Sequence, residues 1–286
     1  MFESLARSAK PFHMMKLFGS NKPLCDDEWD WQLASFKWLI TEFGGAEDSL
    51  ANQLILPTDR FFPKTSSDPS KKAREIFEQV KHLSGLAKWP TKLVAGNPSR
   101  EMMLESGQSL KHDSHAPAGE YRLLQNADGK FYAQIGYNPS QLDNPHKLIA
   151  TFAHELSHFL MSSAKTPPPG GWEIHELTTD LCSVYLGFGI FTAMTAWNFE
   201  GANDGWKYER QGYLNEPMLI TALAIWEPVS GRDPLLALPY LKPHLGKDLR
   251  KAVKYLQKRD IMEEIESIDL SQFVVEDSQV EENSIS

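Results

Sequence analysis

Cysteine is nearly absent from this chain: Cys25 and Cys182 are the two thiols in 286 residues. One bridge between them is possible, but a chain of this length buries ample core without it. The expectation is free thiols in a reducing compartment, with Cys182 a buried one. Long apolar runs are missing as well. No run of about 18 apolar residues occurs, and the opening "MFESLARSAKPFHMMKLFGSN" lacks the uninterrupted hydrophobic segment of a secretory signal. Positive charge is in deficit. With 29 basic against 38 acidic side chains the net charge is −9, which argues against general affinity for nucleic acid or anionic membrane. There is no internal repeat. The expectation is a soluble cytoplasmic globular protein with neither a nucleic-acid nor a membrane partner.

Punctuation residues divide what is present. Residues 1–90 read as a mainly helical N-terminal region. "DDEWDWQLASFKWLITEFGG" opens on acids and stops at Gly44-Gly45, with Trp29, Leu33, Phe36 and Ile40 on one apolar stripe. A second helix is expected from Asp68-Pro69, a cap followed by proline, burying Ala73, Ile76, Phe77, Val80 and Leu83. Residues 91–262 form the central part. "TKLVAG" is a short strand, and "EYRLLQNADGKFYAQIGYNP" a hairpin turning at "NADG". Between them lies a loop holding His112 and His115, read as solvated histidines because no helix surrounds them. From Asn144 to about Trp226 the pattern is helical, broken at "KTPPPGGWE". "NEPMLITALAIW" is a buried helix capped by Asn215. "GKDLRKAVKYLQKRD" is a basic amphipathic one with Leu249, Ala252, Val253 and Leu256 inward. Residues 263–286 read as an acidic, disordered tail.

The chemistry concentrates in "TFAHELSHFL". On a helix, residues four apart share a face, so His154 and His158 can offer ring nitrogens to one ion. Glu155 stands one position round, placed to reach a water at that ion. That is the logic of HExxH, two metal ligands and a general base. With nine histidines in the chain, chance supplies such a pattern only about 0.02 times, so it is informative. The helix it needs is available: Asn144-Pro145 starts it, and residues 146–166 contain neither proline nor glycine. Zinc also needs a third protein ligand and an open position. "HELTTDLCSVYLGFG" supplies Glu176 and Asp180 on one face. Glu176 can bind the metal while Asp180 accepts a hydrogen bond from a ligand histidine and fixes its tautomer. His175 is the competing ligand, but only Glu176 has a carboxylate one turn later. Tyr213 and His244 are the candidates for stabilising a developing oxyanion.

HExxH followed by ExxxD on a downstream helix resembles the gluzincins, zinc metallopeptidases typified by thermolysin and the smaller minigluzincins. The resemblance covers roughly residues 130–190. It implies an α+β fold: a zincin-like core with a small β-sheet and an active-site helix, flanked by mainly helical N- and C-terminal parts. It implies Zn2+ on His154, His158 and Glu176, with Glu155 as catalytic base and Asp180 behind His154. It also implies a peptide or protein substrate lying along an edge strand in "KFYAQIGY". A catalytically silent, metal-stabilised binding or regulatory protein of the same fold is the alternative, and the intact Glu155 argues against it. The negative charge disfavours a DNA-linked protease.

Overall fold

In the computed structural model, residues 22–45, 53–96, 118–196 and 214–274 are described. Tyr213, His112, His115 and the termini 1–21 and 275–286 lie outside them. Helix α1 (Asp26–Phe43) begins on Asp26, Asp27 and Glu28, acids that suit the positive end of the helix dipole. Asp68 caps α2 (Pro69–Leu83) by accepting from the Ser70 and Lys71 amides, with proline in the first turn where no amide is needed. Three strands follow: β1 (Thr91–Ala95), β2 (Gly119–Gln125) and β3 (Phe131–Tyr137). Asn144 then caps α3 (Pro145–Met161) through the Lys147 amide. The remaining helices are α4 (His175–Ser183), α5 (Gly189–Thr195), α6 (Glu216–Ser230), α7 (Pro243–Leu256) and α8 (Ile261–Ser267). Among the described residues this is a mixed α+β protein of eight α-helices and one three-stranded sheet.

The sheet order is β1-β3-β2, with β1 parallel to β3 and β2 antiparallel to it. The strand in "KFYAQIGY" is therefore central, and both its edges are occupied. The edge-strand expectation is corrected: β1 and β2 are the edge strands, and no described strand pairs the outer edge of either. The cause is the parallel pairing of β1 with β3, in which Leu93 stands beside Ile135.

Helix α3 packs beneath this sheet. Its Phe152 meets Phe77 of α2 edge-on at 5.2 Å and Tyr137 of β3 at 5.7 Å, joining helix and sheet in one aromatic core. Behind α3 stand α4 and α5, separated by a π-helical turn, Val184–Phe188. Gly187 there has φ 90°, and a Cβ on it would fall 2.3 Å from the Gln53 carbonyl oxygen. Only glycine admits that crossing.

Helix α1 departs from the single stripe expected of it. Trp31, Gln32, Ala34, Ser35 and Trp38 are buried along with Leu33 and Phe36, so nearly the whole circumference is covered. The reason lies in its partners. Trp31 Nε1 donates to the Pro169 carbonyl at 3.0 Å, Trp38 Nε1 to Thr166 Oγ1 at 3.0 Å, and Gln32 Nε2 to the Met218 carbonyl at 2.8 Å. The loop before α4 is thereby tied to α1.

A second correction concerns the C-terminus. Residues 263–273 are ordered: Ile265 of α8 is buried, Lys37 of α1 donates to the Glu266 and Ile268 carbonyls, and the Gly170 amide donates to the Phe273 carbonyl at 2.8 Å. Acidic composition does not prevent folding when every fourth residue, as at Ile261 and Ile265, reaches the core. One buried cluster runs from Leu24 to Ile265, so α1 and α2 share the core of the central part. Among the described residues, one helical stretch, Trp172–Thr195, is long and apolar enough to cross a membrane, and most of it is buried in the fold.

Candidate metal centre

His154, Glu155 and His158 lie on the middle turns of α3, whose apolar face (Leu148, Phe152, Leu156 and Phe159 among others) is held in the core. Glu176 and Asp180 come from α4, which packs against α3 across the loop tied down by Trp31 and Trp38. The Nε2 atoms of His154 and His158 stand 3.1 Å apart, and Glu176 Oε2 is 3.1 Å from the first and 3.4 Å from the second. One atom from each of the three residues falls within 4.8 Å of the others.

The outer nitrogens decide the tautomers. His154 Nδ1 is 2.9 Å from Asp180 Oδ1, an oxygen that can only accept when ionised, so Nδ1 donates. Asp180 is itself fixed by the Leu214 amide, which donates to Oδ2 at 2.9 Å. His158 Nδ1 faces the Thr179 hydroxyl at 3.3 Å. That hydroxyl donates to the His175 carbonyl at 2.8 Å, so it offers its oxygen to His158. The Tyr121 ring stacks on His158 at 5.8 Å and 13° and fixes its plane. Both imidazoles thus turn an Nε2 lone pair toward the Glu176 carboxylate. Three such acceptors repel one another unless positive charge lies among them.

A proton or a metal ion can supply that charge. Burial opposes a proton on His154, but Asp180 and Glu176 outweigh it and raise its pKa well above the ordinary value. Burial and the charge of His154 lower that of His158, despite Glu176. Burial disfavours the Glu176 carboxylate, but hydrogen bonds from His154, His158 and His175 hold it far below the usual range. As a metal site the donor set fits zinc. Bonds of about 2.0–2.1 Å in a tetrahedron give edges of about 3.3 Å, close to the triangle seen, and N/N/O donors suit that ion.

Glu155 is 6% exposed and borders a cavity together with His154, Asp180 and Gly119. Burial raises its pKa to about 8; His154 opposes the rise, while Glu176 and Glu120 add to it. Gly119, the first residue of β2, passes directly over it: a Cβ there would meet Glu155 Oε1 at 2.4 Å and Thr151 Cγ2 at 2.6 Å. Sequence reasoning missed this glycine, whose signal was only its place at the head of the hairpin.

The other candidates fall elsewhere. His175 does not join the triangle: its Nδ1 donates to the Trp172 carbonyl at 2.6 Å and its Nε2 lies 3.3 Å from Glu176 Oε1. His244 sits in the first turn of α7, paired with Glu216 at 3.0 Å, and does not line the cavity, so its assignment to oxyanion stabilisation is withdrawn. Its helix starts at Pro243 and not at Gly246 as expected, because proline occupies the first turn. Tyr213 is not described. Cys182 is a buried free thiol, pushed up to about 12 by burial, and Cys25 is also free. No protein-family model, curated protein or solved structure matches this chain.

Proposed function

We propose that the protein is a zinc-dependent peptidase with a zincin-like core of gluzincin type. One observation carries the reading: two imidazole nitrogens from α3 and a carboxylate oxygen from α4, all able to hold a metal, converge beside the buried Glu155 of α3, with Asp180 behind His154. His154, His158 and Glu176 would hold the ion. A zinc ion bound by them would supply the acidification of water, the polarisation of a carbonyl and the positive charge that favours ionised Glu155.

The remaining chemistry belongs to the chain. Glu155 takes a proton from the attacking water and passes it to the departing amine as the C–N bond breaks, leaving a carboxylic acid and an amine. Asp180 keeps the His154 lone pair directed inward, and Tyr121 keeps the His158 ring in plane. The outer edge of β2 offers backbone donors and acceptors to an extended peptide. Gly119, the first residue of β2, passes over Glu155 with its face, so a peptide paired along β2 would run past the base.

The test compares cleavage of a peptide library by wild type and Glu155→Gln, with zinc measured in the same samples. General-base catalysis contributes about 10²–10⁴-fold, so cleavage should fall by that much while zinc stays bound. Equal cleavage by both proteins would refute the assignment. Zinc binding without any cleavage would favour the silent binding protein.

A further inference from the structure

The cavity beside Glu155 has a second polar end that the proposed chemistry leaves unused. Its walls are short side chains, Ala150, Thr151, Thr195 and Ala196, closed by Leu214 and Leu219. Among the lining residues Lys147 is the only lysine or arginine, and no described residue gives its ammonium an ion pair. Other lysines of the fold are engaged: Lys72 Nζ donates to the Leu142 carbonyl at 2.7 Å and Lys37 Nζ to Ile268 at the same distance. Of the acids at the inner end, Asp180 is engaged by His154 and the Leu214 amide, and neither it nor Glu155 forms an ion pair with Lys147. Nor does helix stability call for a cation here. Lys147 lies in the first turn of α3, where the dipole favours negative charge.

Lys147, Thr151 and Glu155 follow one another at four-residue intervals, so they line one face of α3 over about 12 Å. A carbonyl reacting at the Glu155 end places the neighbouring substrate residue in the cavity, its far end toward Lys147. We infer, on the peptidase reading above, that Lys147 selects substrates carrying a carboxylate on the residue that fills this cavity. The carboxylate is either an acidic side chain or the peptide's own C-terminus. At the far end, a carboxylate would meet an ammonium that no described residue pairs, on a part-buried side chain where their attraction exceeds that in bulk solvent.

Binding tests this without turnover. Peptides with Glu, Gln or Leu at each position flanking the scissile bond, with free or amidated C-termini, are titrated calorimetrically into zinc-dialysed Glu155→Gln and Glu155→Gln/Lys147→Met. One carboxylate-bearing class should bind about tenfold tighter than its neutral counterpart, the size of one charge-assisted hydrogen bond. Lys147→Met should bring the two to one affinity, and Lys147→Glu should favour Lys-bearing peptides. A preference that follows the free C-terminus names the terminal carboxylate; one that follows Glu names the side chain. Equal affinities for acidic and neutral peptides, or a preference that survives Lys147→Met, overturn the inference. Glu155-dependent cleavage without carboxylate preference would sink the Lys147 assignment alone. Carboxylate-selective binding through Lys147 with no cleavage by the wild type would sink the peptidase reading alone.

Discussion

Two histidines and a carboxylate 3.1–3.4 Å apart are stable only with positive charge among them, and that governs the behaviour of each residue. Glu176→Ala should abolish most zinc affinity, whereas His175→Ala should retain it, because His175 is turned to Trp172. The reverse outcome in a zinc titration would make His175 the ligand. Asp180→Asn should weaken zinc by about 10–100-fold, the range seen when a ligand histidine loses its carboxylate partner. Glu155 gives a pH signature. Its pKa, raised to about 8 in the fold, lies above the ordinary 4.5, so the folded chain keeps a proton that the unfolded chain loses. Its contribution to stability is present below about pH 4.5 and is lost as pH rises toward 8. In the metal-free protein Glu155→Gln should therefore raise the melting temperature relative to wild type at pH 8 and above, with the gap closing near pH 4.5. Thermal scans across that range check it; a gap that does not change with pH would contradict the buried-carboxylate account.

Among the elements, β2 and α3 make the closest approach. Gly119→Ala would drive a Cβ into Glu155 and Thr151, and Thr151 is β-branched with little freedom to move aside. The variant should lose about 1–3 kcal/mol and most cleavage activity while still binding zinc, since the ligands stand on α3 and α4. Denaturation and metal content measured together test this, and full activity would show that β2 has room to shift. The elements also mark what the sequence made legible. Helix α3 and the Glu176–Asp180 turn were readable because a helix brings residues four apart onto one face. The caps at Asp68, Asn144 and Asn215 were readable because their side chains bond amides two or three residues on. The central place of β3 was not, because it depends on parallel pairing with β1 across some forty residues. Gly119 was equally hidden. Its contact comes from a neighbour on another element, which no local period encodes.

For the whole molecule, the site depends on parts distant from it. Trp31 and Trp38 of α1 hold the loop that delivers Glu176, and α8 covers α1 in turn, so the first and last described α-helices brace the helix that carries Glu176. The tail was misread beyond residue 262 because charge dominated the composition there, while Ile261 and Ile265 anchored it to the core. Since the ligands come together only in the folded chain, zinc should stabilise the entire fold. At a hundredfold excess over its dissociation constant the gain is about 2.7 kcal/mol, a rise of several degrees in melting temperature.

The central claim is that His154, His158 and Glu176 hold one zinc ion. Metal content per chain, measured by mass spectrometry after zinc dialysis and desalting, tests it directly. The account predicts about one zinc per wild-type chain, the same for Glu155→Gln, and essentially none for the folded His154→Ala/His158→Ala variant. A wild type that emerges metal-free, or a double variant that keeps its zinc, would contradict it.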